Sequence, residues 1–401
     1  MAMPQQTRSL FRWREIPGSV WALGLVSLFM DLSSEMIHAL LPLYLLGVLG
    51  ASALTVGFIE GIAEATASVT KIFSGALSDY LGRRKLLAVL GYGLAAFTKP
   101  VFPLASGIAW LTAARFVDRV GKGIRGAPRD ALVADLTPAN LRGSAYGLRQ
   151  SLDTIGAVLG PLLAIVFMAA LANNFTAVFW IAVVPAFVSL AIIVFAVREP
   201  DLPPDSRKVQ SPFSRAELGR LSTAYWLVVG VSAVFTLARF SEAFLLLRAQ
   251  SVGLQLTLVP IVMVVMNVVY TFSAWPAGAL SDRVDRYLVV AAGFAVLILA
   301  DLVLALSNGV VAVLIGVALW GLHMGLTQGL LAALVADTAP PELRGTAFGM
   351  FNLLSGIALL LASIIAGGLW DVIGPNGTFL AGAMFTAIAL AALPLVRRKV
   401  G

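Results

Sequence analysis

Gly75-Ala76-Leu77-Ser78-Asp79-Tyr80-Leu81-Gly82-Arg83-Arg84-Lys85 closes one long apolar segment, sets four charged side chains within seven residues and opens the next apolar segment. Its first five letters return as Gly278-Ala279-Leu280-Ser281-Asp282, again at the end of an apolar run and again followed by charge, here Arg283, Asp285 and Arg286. A hinge that recurs 203 residues later predicts a chain built as two related halves. A second match agrees. Ala131-Leu132-Val133-Ala134-Asp135, with Leu141-Arg142-Gly143 beyond it, pairs with Ala333-Leu334-Val335-Ala336-Asp337 and Leu343-Arg344-Gly345 at an offset of 202.

Of the 401 residues, 59% are hydrophobic and 12% charged, against roughly a quarter charged in a soluble domain. The apolar residues come in blocks of about 20 to 27 rather than in amphipathic stripes, the length an α-helix needs to cross a hydrocarbon core of about 30 Å. Twelve blocks can be drawn, at 20–47, 55–79, 87–106, 110–136, 144–170 and 177–197, then 223–249, 257–280, 288–306, 310–336, 344–370 and 378–396. The expected fold is therefore an all-α membrane protein of twelve transmembrane helices in two six-helix repeats. Six is even, so both copies enter from the same side and the repeat is parallel. The expected domains are 1–197 and 223–401, joined by a 198–222 linker that carries Pro200, Pro203, Pro204 and Pro212.

The net charge of +7 does not point to nucleic acid, because the basic residues between the blocks fall in alternate connections. Arg8, Arg12 and Arg14 precede the first block, Arg83 to Lys85 follow the second, Arg142 the fourth, and Arg198, Arg207, Lys208, Arg215 and Arg220 the sixth. Residues 48–54, 171–176 and 307–309 contain no Lys or Arg. By the positive-inside rule both termini and the linker face the cytoplasm. The short basic N-terminal stretch does not read as a cleavable signal. The absence of cysteine excludes disulfides and thiolate metal sites.

The hinge resembles the loop between helices two and three of the major facilitator superfamily, Gly-x-x-x-Asp-(Arg/Lys)-x-Gly-Arg-(Arg/Lys), at Gly75, Asp79, Gly82, Arg83 and Arg84, with Tyr80 in a basic position. The second copy fits at Gly278, Asp282, Arg283 and Arg286, with Asp285 where glycine is expected. The resemblance covers essentially the whole chain. It implies a secondary transporter working by alternating access, a cavity lined by helices one, four, seven and ten, and a cytoplasmic gate that includes Asp79, Arg83, Arg84, Arg142, Asp282 and Arg283. Such a protein is expected in a plasma membrane, a bacterial inner membrane by type, as a monomer in the bilayer with a small-molecule substrate. No enzymatic motif and no cofactor is expected, and the coupling ion is expected to be the proton.

The fourth block holds Arg115, Asp118, Arg119, Lys122, Arg125, Arg129 and Asp130, too many charges for a helix in lipid, so it must face protein or water. Arg115, Arg119 and Lys122 share a face, and Asp118 is placed to pair with Lys122, Arg115 or Arg125. Arg119-Val120-Gly121-Lys122-Gly123 resembles the family's fourth-helix signature, which implies a proton-coupling role for Arg119. Gly121-Lys122-Gly123-Ile124-Arg125-Gly126 also spells the dinucleotide pattern Gly-x-Gly-x-x-Gly, but no strand precedes it, so that reading fails.

In the first block Asp31, Glu35 and His38 fall at i, i+4 and i+7, one helical face, with Asp31 near the middle of the membrane. Glu60 and Glu64 repeat the i, i+4 spacing in the second. Such groups can serve as a proton or cation relay as access alternates, since imidazole titrates near neutrality and burial tunes a carboxyl. Equally, the four carboxylates can simply neutralise Arg115, Arg119 and Lys122. In the fifth block Gly156-x-x-x-Gly160-Pro161-x-x-Ala164 resembles the family's export signature, characteristic of drug/proton antiporters. Small residues four apart allow close helix packing and the proline bends the helix.

The second half is sparser in charge. Arg239, Glu242, His323 and Gln328 are its main polar candidates, with Trp320 and Phe244 in an aromatic wall; Arg115, Lys122, Arg149 and Asp153 complete the candidate substrate residues. The expected function is proton-coupled efflux of a small, partly apolar organic compound. The alternatives are an organic anion held by Arg119, Lys122 and Arg149, or a divalent metal held by Asp31, Glu35, His38, Glu60 and Glu64, with uptake as the other direction.

Overall fold

The computed structural model describes residues 15–81, 83–138, 141–198, 219–281, 284–340 and 343–400. Among these residues twelve helical spans follow one another. In the first half they are α1 (Gly18–His38, resuming as Leu41–Gly47), α2 (Ala53–Leu81), α3 (Arg84–Thr98, resuming as Val101–Leu104), α4 (Ile108–Leu136), α5 (Arg142–Ala170) and α6 (Phe175–Phe195). The second half has α7 (Thr223–Ala238, resuming as Ala243–Ser251), α8 (Ile261–Ser281), α9 (Arg286–Leu306), α10 (Val310–Thr338), α11 (Arg344–Ile373) and α12 (Pro375–Val400). Three spans are broken. Pro42 and Pro100 sit at two of the interruptions, where a missing N–H and a fixed φ end the preceding helix. The third, at Arg239-Phe240-Ser241-Glu242, contains no proline. Its backbone is held from outside, because the Ser241 N–H donates to the Ser363 hydroxyl of α11 at 3.2 Å.

Ten spans are long and apolar enough to cross a membrane by themselves. The other two, α2 and α4, carry the charge, and they pack on each other. Their polar faces are thereby withdrawn from lipid, while α4 turns Trp110 and Phe116 outward.

The duplication is visible in the packing. In the first half α1 packs on α5 and α6, α3 on α4 and α6, and α2 on α4; in the second, α7 packs on α11 and α12, α9 on α10 and α12, and α8 on α10. Each contact is its counterpart shifted by six helices. The halves meet through α2 with α11 and α5 with α8, two contacts that exchange when the halves are interchanged. At the face opposite the termini Asp371 accepts hydrogen bonds from the N–H groups of Ala53 and Leu54 at 3.0 and 2.9 Å, and Thr257 bonds Asn173 at 2.7 Å.

Candidate functional site

A cavity of about 290 Å³ lies between the halves. Its first wall is Glu35 and His38 of α1, Glu60 and Glu64 of α2, and Arg119 and Lys122 of α4; the facing wall is the α7 break, Arg239 to Glu242, with Met263, Asn267 and Trp320. A second cavity of about 290 Å³ continues toward the terminus-bearing side, lined by Asp31, Lys71, Arg125, Arg129 and Asp153 among others. Glu35, Glu64 and Lys122 line both, so they form the partition.

Most of the charge is paired. Arg115 donates to Glu60 at 2.7 Å, with each side chain 1% exposed, and Arg119 lies 3.1 Å from Glu64. His38 bridges two helices, Nδ1 being 3.4 Å from Glu35 and Nε2 3.5 Å from Glu60. The Asp118 partner is Lys99, which donates to it at 2.9 Å and to Ser34 at 3.0 Å, tying α3 to α4 and α1. The candidates Lys122, Arg115 and Arg125 do not take that place: Arg125 stacks its guanidinium 4.8 Å from the Tyr92 ring instead. The sequence places Lys99 inside the apolar block 87–106 as a lone lysine, and nothing in its spacing points to a partner on the next block.

Asp31 lines the second cavity rather than the first, on the same wall as Asp153. Asp153 lies 3.6 Å from Arg149 and 3.7 Å from Arg129, and Arg149 is 3.9 Å from Asp130. Arg115, Arg149, His323, Gln328 and Phe244 stand outside both linings. His323 is fully buried against Trp320 and Phe235, Phe244 packs behind Phe240, and Gln328 accepts from the Tyr270 hydroxyl at 3.3 Å.

The glycines of α4 have a structural use. A Cβ on Gly121 would stand 2.7 Å from the Gly91 carbonyl of α3, and one on Gly123 would stand 2.5 Å from Thr70 of α2, so the literal dinucleotide pattern is a packing surface. In α5 a Cβ at Gly156 would lie 2.5 Å from the Leu28 carbonyl, and one at Gly160 would lie 2.8 Å from Glu35 Cβ. The pair, with Pro161 inside the helix, seats α5 directly behind Asp31 and Glu35 of α1.

At the hinge, Gly75 faces Ala127 of α4, and Arg84 is 2.6 Å from Asp135, joining the start of α3 to the end of α4. The second half repeats this tie with Arg286 and Asp337 at 2.5 Å, both positions shifted by 202. Arg83 and Arg142 are exposed at the starts of α3 and α5. Gly82, Asp282 and Arg283 lie outside the described residues, as does the side chain of Asp79.

The Major Facilitator Superfamily profile matches residues 23–363 and 243–400. The chain belongs to this superfamily. An uncharacterized MFS-type transporter of Methanocaldococcus jannaschii is 34% identical over 386 residues, covering 94% of each chain. The inner membrane transport protein YajR of Escherichia coli is 24% identical over 395 residues, 93% of this chain and 82% of its own. Among solved structures the nucleoside transporter NupG has a TM-score of 0.82 at 12% identity, over 94% of this chain and 99% of that one. A bacterial homolog of the lysosomal transporter Spinster has a TM-score of 0.78 at 16% identity, over 94% and 96%. These likenesses establish the fold. The protein is an integral multi-pass membrane transporter and not an enzyme.

Proposed function

We propose that this transporter exports a small, partly apolar organic compound in exchange for protons, as in the drug/proton antiporter branch. One observation carries the reading: the cavity between the halves has an ionisable wall of Glu35, His38, Glu60 and Glu64 facing a wall on which Phe240, Met263 and Trp320 offer apolar surface beside Arg239 and Glu242. Protons load on the first wall and the compound packs on the second, and rocking of the halves exposes both to either side in turn. At about 290 Å³ the cavity stands at the low end of small-molecule sites, which run from ~300 Å³ upward. That size suits a small compound rather than a bulky one.

The direction of export is supported by the Gly156, Gly160 and Pro161 seat of α5 on the acidic stretch of α1. With both termini cytoplasmic, the bonded face carrying Asp371 and Asn173 is the outer one, and the described state is closed there. The divalent-metal alternative is not favoured, because among the described residues no three His, Asp or Glu side chains gather into a metal-sized cluster.

The test is transport in proteoliposomes under an imposed pH gradient, offering lipophilic cations, organic anions and divalent metals in turn. Gradient-driven movement of an organic compound, lost in Glu35→Gln or Asp31→Asn while counterflow exchange persists, is the expected result. Transport indifferent to the gradient and to both substitutions would sink the coupling.

A further inference from the structure

Subtracting the ion pairs from the cavity leaves an uneven remainder. Glu60 is matched by Arg115, Glu64 by Arg119 and Glu35 by His38. Lys122 and Arg239 line the same cavity and make no ion pair among the described residues, and neither does Glu242. With His38 counted as an imidazolium, two cations thus remain against one carboxyl. The Arg239 guanidinium lies 6.0 Å from the Phe235 ring, and its Nε is buried without a hydrogen bond, which a guanidinium in a low-dielectric site does not tolerate without loss. The two cations also come from opposite halves: Lys122 projects from α4, whereas Arg239 stands in the α7 break. The second cavity continues the pattern, since Lys71 and Arg125 on its wall likewise make no ion pair among the described residues.

We propose that the compound carries an anionic group, a carboxylate or its equivalent, which seats between Lys122 and Arg239 while its apolar body lies on Phe240 and Trp320. This rests on the reading of the cavity as the substrate site, and it assigns that site a charge class. A positively charged compound would meet the excess cations, whereas an anion completes them with charge-assisted hydrogen bonds. Because one cation belongs to each half, the bound anion bridges the halves, and its departure leaves two like charges facing each other across the cavity. That repulsion favours separation of the halves when the site is empty. The anion is thus both cargo and the group that permits closure around itself.

Equilibrium binding to the purified full-length chain in detergent tests this without any gradient. The probes are radiolabelled aromatic monocarboxylates within the cavity's size, such as indole-3-acetate and phenylpropionate, with their amides and the corresponding amines. At least tenfold tighter binding of acids than of amides or amines is expected. Lys122→Gln and Arg239→Gln should each weaken the best acid about tenfold or more, as loss of a hydrogen bond between charged groups does, and leave the amide unchanged; Lys122→Arg should retain acid binding. If Arg239→Gln does not fold, Lys122→Gln, whose side chain is exposed to the cavity, decides the matter alone. Equal or tighter binding of amines or amides, no binding by any acid, or equal weakening of acid and amide in Lys122→Gln overturns the proposal. Failure of proton coupling in proteoliposomes would leave this binding result standing, and the reverse also holds.

Discussion

Glu60 and Arg115 are each 1% exposed and 2.7 Å apart, in a span pair that cannot face lipid. Removing one partner strands a buried charge, so Glu60→Gln or Arg115→Gln should destabilise the protein by about 3–5 kcal/mol, whereas replacing both with apolar residues should restore most of that. Apparent melting of the detergent-purified variants checks it; additive losses in the double variant would refute a pairwise role. Glu60→Gln should also weaken the hold on His38, which reaches Glu60 at 3.5 Å and Glu35 at 3.4 Å, whereas Arg115→Gln leaves both of those carboxylates in place. The sequence shows these carboxylates and cations as two helical faces, and it offers neutralisation and relay as joint readings. Spacing along a helix gives the face but not the partner across it. Glu60 and Glu64 take Arg115 and Arg119, while Lys122 stays unpaired among the described residues, and only tertiary packing makes that distinction.

Among the elements, α5 is the clearest case of close approach. Gly156 and Gly160 let its backbone lie against Leu28 and Glu35 of α1. Gly156→Val should therefore push the two helices apart at a cost of about 1–3 kcal/mol, with transport lost at normal expression. Gly147→Val on the same helix meets nothing within 4 Å and should be tolerated. Equal effects of the two substitutions on transport would remove the packing account. The small-residue spacing was legible in the sequence, but which helix it receives was not. The α7 break escaped the sequence altogether, since Arg239-Phe240-Ser241-Glu242 has no Pro or Gly to signal it. Its hydrogen bond to Ser363 comes from more than a hundred residues away, and the unwound backbone is tolerated because it lines a cavity.

Across the whole molecule, Asp371 caps the start of α2 from the other half, with bonds of 3.0 and 2.9 Å to Ala53 and Leu54. Loss of such a cap costs about 1 kcal/mol, enough to shift a balanced two-state equilibrium roughly fivefold. Asp371→Ala should thus favour opening at the face opposite the termini. The chain has no cysteine, so spin labels at Asn173→Cys and Thr257→Cys, which replace a bonded pair in the same face, can report the separation by electron–electron resonance. A longer, broader distance distribution in Asp371→Ala is expected; an unchanged one would show that the α2–α11 packing alone holds this face.

The sequence by itself determined the membrane class, the twelve spans, the duplication and the superfamily, because block length, charge placement and repeated motifs are properties of the chain read in order. It also marked α4 as a helix that must avoid lipid. Tertiary structure decided what those charges do. It joined Lys99 to Asp118, repeated the Arg84–Asp135 tie as Arg286–Asp337, withdrew His323 and Arg149 from the cavity, and brought Lys122 and Arg239 from opposite halves to one chamber. The reason is physical. A buried charge is settled by the groups that reach it in three dimensions, and in a bundle of long helices those groups come from spans tens or hundreds of residues away.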